Sequence, residues 1–164
     1  MSQFAISWRL SRGRFVNEVK DLSQEQLNWR LYPGSLTIGE MALHVAGVEV
    51  SFVSQLTGSP LDDLKERLKA SATEGVVNEN PFPFASNEIT PELIAKALAL
   101  AEEMTQPVID TPSDAILAKE MVSALGPVIT GEGALARFAF HPGYHQGQAY
   151  QIKNAPGFPE GPAP

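Results

Sequence analysis

His141-Pro142-Gly143-Tyr144-His145-Gln146-Gly147-Gln148 holds two of the chain's three histidines, four residues apart. Positions i and i+4 of a helix lie one above the other on the same face, so two imidazoles spaced this way can hold one metal ion between them. With His141 as origin and a turn of about 100° per residue, His145 falls at about 40°, Phe138 at about 60°, Ala134 and Ile152 near about 20° and Gln148 near about −20°. The two histidines therefore share the apolar face of a helix that Thr130 caps and that runs to about Lys153. A buried imidazole loses solvation and needs partners for both ring nitrogens. A shared metal, with acceptors behind the ligands, supplies them.

The third histidine, His44, belongs to another helix-periodic stretch. Thr37 and Glu40 have capping-box spacing, and Ile38, Met41, Val45, Val48 and Phe52 follow in steps of three and four. His44 projects about 40° from Val48 and about 60° from Met41, on the edge of that stripe, with Glu40 one turn before it. The three histidines are expected to meet inside a helical bundle.

Outward from these two stretches, Phe4, Trp8, Ser11 and Phe15 mark a first helix over about residues 3–20, weakened at its middle by Gly13. Ser23 and Gln26 form a capping box for a short helical piece within 21–29, and Tyr32-Pro33-Gly34-Ser35 is a turn. Ser59-Pro60 opens a helix to about Ser71, with Ser59 as cap and a charged outer face. Residues 72–89 form a long connection of the kind that packs over something or moves. Thr90-Pro91 opens another long helix carrying Leu93, Ala97, Leu100, Met104 and Val108, which Pro107 should end or kink. Residues 115–125 read as a short helix or an extended crossover, broken by Gly126-Pro127. Four long amphipathic helices without convincing period-2 strands predict an all-α four-helix bundle with long crossover connections. The bundle domain is expected over 1–153, and the Pro/Gly-rich tail, 154–164, should be extended or mobile.

Composition narrows the function. The chain has 164 residues, 43% hydrophobic and 19% charged, with a net charge of −7 and no cysteine. That is ordinary globular composition, sized for one domain. The acidic balance and the lack of basic runs argue against nucleic-acid or anionic-membrane partners. No apolar run approaches the roughly 20 residues that span a bilayer, and the N-terminus lacks a signal-peptide pattern, so a cytoplasmic protein is expected. Cysteine chemistry is excluded, no Gly-rich phosphate loop is present, and no serine has triad partners at recognisable spacing.

Leu22-Ser23-Gln24-Glu25-Gln26-Leu27, then Thr37-Ile38-Gly39-Glu40-Met41-Ala42-Leu43-His44, then His141-x-x-x-His145-x-Gly147-Gln148 resemble the DinB/YfiT-like superfamily in spacing and order, over about residues 4–158. The resemblance implies a four-helix bundle, often a homodimer, with a three-histidine metal site whose ligands here would be His44, His141 and His145. Members of known activity include metal-dependent transferases that use small cellular thiols and a thiol-dependent isomerase. The family name refers to induction by DNA damage and does not make this acidic chain a DNA-binding protein.

Three neutral imidazoles leave coordination positions open, which is the pattern of a catalytic rather than a structural site. Ligand type alone does not separate Zn, Ni, Fe and Mn as the expected divalent ion. A bound divalent metal lowers the pKa of water or of a substrate atom. With no cysteine in the chain, any nucleophilic sulfur must come from a low-molecular-weight thiol. The expected activity is transfer or addition of such a thiol to an electrophilic small molecule, with no protein side chain assigned as catalytic. The alternatives are hydrolysis by metal-bound hydroxide, with Glu40 or a residue of the 72–89 loop as base, and a non-enzymatic binding or dimerisation module with a vestigial site. Around the ligands, Glu40 either orients His44 or only closes its capping box. Gln148 either holds a metal-bound water or substrate or bonds backbone. Tyr144 either brings a phenol to the site or makes a helix or dimer contact. Pro142-Gly143 either kinks or restarts the helix, at about 3 kcal/mol for an interior proline, or aims His141.

Overall fold

Side-chain caps begin every helix of the computed structural model, which describes residues 1–161. In chain order the elements are α1 (Gln3–Val19), α2 (Gln24–Asn28), α3 (Ile38–Thr57), α4 (Asp63–Ser71), α5 (Pro91–Asp110), α6 (Asp114–Ala118), β1 (Glu120–Val122), β2 (Val128–Thr130) and α7 (Gly131–Lys153). Ser2, Thr37, Thr90 and Thr130 cap the four long helices, each accepting a backbone N–H three residues on. Both capping boxes, Ser23/Gln26 and Thr37/Glu40, are complete. The cap of α4 is Asp62 rather than Ser59. Asp caps as well as Ser does, and its carboxylate also pairs with Lys65, so the helix starts three residues later and Pro60 lies outside it.

The protein is all-α apart from one small hairpin. Helix α1 packs on α7 and α5, and α3 packs on α5, α7 and α4. Around the bundle the order is therefore α1, α7, α3, α5. The connection from α5 to α7 crosses the bundle, as does the shorter one from α1 to α3 through α2. The longest connection without a helix or strand, residues 72–90, links α4 to α5, both of which pack on α3. It packs rather than swings: Phe84 and Ile89 are buried, and Arg67 stacks over the Phe84 ring at 4.2 Å. The core fills with Phe15, Leu27, Ile38, Leu43 and Leu68 toward one end and Trp8, Phe52, Ile109, Leu135 and Phe138 toward the other. Each such side chain contributes about 1.5–3 kcal/mol on burial.

Residues 115–125, ambiguous in the sequence, divide between α6 and β1. The antiparallel β1–β2 pair turns through Gly126 at φ +96°, with Ser123 N–H donating to the Pro127 carbonyl. Three-residue strands are too short to leave a period-2 pattern. Pro107 lies inside α5, which continues to Asp110. The carbonyl it orphans belongs to Glu103, an exposed residue, so that hydrogen bond is lost on the solvent side of the helix rather than in the core. The tail, read as extended or mobile, is docked as far as Gly161. Phe158 meets Trp29 edge-on at 5.5 Å and Gln26 Nε2 donates to the Pro159 carbonyl. Residues 162–164 of that tail lie outside the described residues. No helix among the described residues is long and apolar enough to cross a membrane.

One feature of the core was not read from the sequence. The stripe of α1 includes Arg12, 4% exposed, which donates to Glu49 on α3, 1% exposed, and to Glu102 on α5. Trp8 Nε1 donates to the same Glu49 carboxylate at 2.7 Å. Burial pushes the Glu49 carboxyl up, against the pull of Arg12 and Trp8.

Candidate metal centre

Helix α3 carries His44 and α7 carries His141 and His145, and the contact between these two helices brings the three rings together. His141 Nε2 lies 3.0 Å from His44 Nε2 and 3.1 Å from His145 Nε2. One nitrogen from each ring falls within 4.8 Å of the others. The paired histidines sit one turn apart because α7 runs without interruption from Gly131 to Lys153, through Pro142. The helix neither stops nor restarts at Pro142-Gly143. Pro142 is buried, and Ser11 of α1 donates to the Ala139 carbonyl at 2.6 Å. A Cβ on Gly143 would meet Ser11 Cβ at 3.4 Å, so α1 lies close along this turn. Tertiary packing and an added donor thus offset the weak local propensity.

The outer nitrogens fix which inner nitrogens carry lone pairs. His44 Nδ1 is 2.9 Å from the Ser71 carbonyl, which can only accept, so Nδ1 donates and Nε2 is left unprotonated. His145 Nδ1 donates to Gln148 Oε1 at 2.7 Å, with the same result. Gln148 Nε2 in turn donates to Tyr144 Oη at 3.2 Å. Two lone pairs therefore converge on His141 Nε2, which has at most one proton to give. A cation satisfies all three. Tetrahedral ligands about 2.1 Å from a metal lie about 3.4 Å apart, close to the two spacings from His141 Nε2.

Electrostatics point the same way. Burial lowers the His44 pKa, with the Ser71 bond opposing it. Burial, then His145 and His44, hold His141 down to about 2. Burial, then His44, hold His145 down to about 4 against the Gln148 bond. All three rings are neutral at pH 7, the state a metal needs.

Ser71 is the neighbour the sequence did not reveal. It reaches His44 because α4 lies directly against Gly47, where a Cβ would collide with the Leu68 carbonyl and Ser71 Oγ. Ser71 Oγ donates to the Leu43 and Leu68 carbonyls and holds its own carbonyl in place. Glu40 is directed elsewhere. Its Oε2 accepts from Thr37 N–H at 2.8 Å and its Oε1 from Arg30 at 2.7 Å, with no bond to His44.

Two cavities open at the cluster. One, about 740 Å³, is bordered by Tyr32, Ser35, Tyr144, Gln148 and Gln151 with all three histidines. The other, about 360 Å³, is bordered by Val48, Phe52, Ala72, Phe140 and Arg137 with His44 and His141. Val77 and Leu125 border both, and no carboxylate among the described residues lines either.

A family model described as the DinB superfamily matches residues 7–149. Two solved structures share the fold. A conserved protein from Enterococcus faecalis has a TM-score of 0.67 at 16% identity, covering 92% of this chain and 93% of its own. A DinB-like protein from Bacillus cereus has a TM-score of 0.62 at 18% identity, covering 96% and 94%. No curated protein matches the chain.

Proposed function

The chain belongs to the DinB superfamily, and from that premise we propose that it is a metal-dependent enzyme that joins a low-molecular-weight thiol to an electrophilic small molecule. The ligands are His44, His141 and His145, and the observation that carries the reading is the convergence of their Nε2 atoms with two tautomers locked from behind. A divalent ion held there supplies Lewis acidity, which lowers the pKa of a thiol at the site. The residues of the chain bind and orient. Ser71 and Gln148 fix the rings, and the polar wall of the larger cavity takes the hydrophilic body of the thiol. Val77 and Leu125 stand at the border of both cavities. The thiol proton passes to solvent, the sulfur forms a bond to the electrophilic carbon, and the displaced electron pair leaves with a leaving group or is protonated on the acceptor.

That no carboxylate among the described residues lines either cavity favours this reading over hydrolysis, which calls for a general base at the attacking water. Glu40, the base considered from the sequence, is engaged by Arg30. A reducing cytoplasm suits a small-thiol substrate. We also propose a homodimer through α1 and α7, whose outer faces expose Ile6, Leu10, Phe140 and Tyr144. Light scattering in line with gel filtration tests it, and a monomer at micromolar concentration would refute it.

The test of the reaction is a pair of substrate panels on metal-loaded protein. Cellular thiols with a generic electrophile should turn over, and the turnover should vanish in His44→Ala. Turnover of esters, amides or lactones without thiol would replace the proposal by hydrolysis. Bound metal with neither reaction, and no thiol-induced change in the spectrum of the cobalt-substituted protein, would replace it by a binding role.

A further inference from the structure

The smaller cavity is bordered by a charge that no carboxylate among the described residues answers. Of the six arginines, Arg9, Arg12, Arg30 and Arg67 are ion-paired and Arg14 is exposed. Arg137 is half-buried and, among the described residues, has no carboxylate partner. Its one hydrogen bond is from Nη1 to Ser123 Oγ at 2.7 Å. Ser123 is 2% exposed and tied by its N–H to the Pro127 carbonyl, so the β1–β2 hairpin holds one edge of the guanidinium. A guanidinium carries five N–H donors in a fork that fits an oxyanion, and four are left. Removing a cation from water without a counter-charge is costly, so such a group is expected where a ligand completes the pair.

Apart from His44 and His141 the rest of the wall is apolar, with Val48, Phe52, Ala72, Leu125 and Phe140 among its residues. Arg137 lies one turn before His141 on α7, so a ligand held by the guanidinium runs toward the histidine cluster. The net charge of −7 repels anions in general, and this local cation reverses that at one place.

We propose that the smaller cavity is a binding site for an oxyanion, carboxylate or phosphate, carried on a compact apolar body, with Arg137 as its counter-charge. On the reaction proposed above this ligand is the electrophile, and that role alone rests on the reaction. Binding does not.

The experiment is a calorimetric and NMR titration at pH 7.5 of protein as purified and after chelation, the latter excluding an anion that binds a metal directly. The probes are 4-phenylbutyrate against 4-phenylbutanamide, and phenyl phosphate against phenol. One anion of each pair should bind at least tenfold tighter than its neutral twin in both preparations, and the stronger anion identifies the head group. Arg137→Leu should erase the preference and Arg137→Lys should keep part of it. Ala124→Trp, which fills the cavity, should abolish binding while metal content is unchanged. Equal binding of anion and neutral twin, a preference that survives Arg137→Leu, or loss of the preference on chelation would each overturn the site. If Arg137→Leu does not fold, the Ala124→Trp and Arg137→Lys titrations decide. Anion binding without thiol turnover leaves this site standing and removes the reaction, and thiol turnover without anion preference does the reverse.

Discussion

Two buried polar clusters lie in one bundle, and they are finished differently. Trp8, Arg12, Glu49 and Glu102 join α1, α3 and α5, and their donors meet acceptors within the protein. His44, His141 and His145 join α3 and α7, and there two acceptors face a single ring nitrogen with at most one proton to give. A closed cluster holds helices together. A cluster left short of positive charge, beside two cavities, is a place for something from outside. Burial alone distinguishes neither: Glu49 is as hidden as any core leucine, and His44 and His145 nearly so.

Breaking the closed cluster should give the largest effect. Glu49→Ala leaves Arg12 as a buried charge without its main partner, and should cost about 3–5 kcal/mol in urea unfolding. Because the histidine rings are untouched, any folded fraction should bind metal with unchanged affinity; a matching loss of affinity would mean the clusters are not separable. Next is filling the open cluster. A divalent ion at 100- to 1,000-fold over its Kd should stabilise the fold by about 2.7–4 kcal/mol, and His145→Ala should remove that gain together with most of the metal found by elemental analysis. A melt that ignores added Zn, Ni and Mn would mark the site as vestigial.

Acid should separate the clusters again. His145 is held down to about 4, below its unfolded value, so its contribution is complete above about pH 6.5 and is lost as pH falls toward 4. His145 alone should therefore cost metal-free protein on the order of 2 kcal/mol between pH 7 and pH 5, through protonation of the unfolded state, and His141 and His44, also lowered, add to the slope. His145→Gln should flatten that slope, and an equal slope in the variant would show the acid sensitivity lies elsewhere. The smallest effects distinguish the neighbours. Gln148→Ala should weaken metal binding about 10- to 100-fold by releasing the His145 ring. Glu40→Ala should cost about 1 kcal/mol of stability as a lost cap and leave metal affinity alone.

The open cluster was far more legible in the sequence than the closed one. Two histidines at i, i+4 and a third on another apolar edge are scarce residues in a readable geometry, and the caps at Thr37, Thr90 and Thr130 are local chemistry. Arg12 was missed because long charged side chains are assigned outward by default and Ser11 fitted the same stripe. Ser71 was missed because its route to His44 depends on two backbones closing at Gly47, which no period reports. Asp62 displaced Ser59 because two good caps stood three residues apart. Pro142 left two readings open, a kinked or restarted helix and an aimed His141, since propensity cannot anticipate α1 lying along the weakened turn.

The span between His44 and His141 is 97 residues. In a chain with no cysteine, one ion joining α3 to α7 closes a loop as long as many disulfides do. Such a closure removes chain entropy worth about 4–5 kcal/mol from the unfolded ensemble, to the extent that the link persists there. Unlike a disulfide, this link opens with a chelator or a proton and closes without an oxidant. With an ion on the three histidines the bundle would be a clasped strap, and the tightness of the clasp would follow the free metal concentration around it.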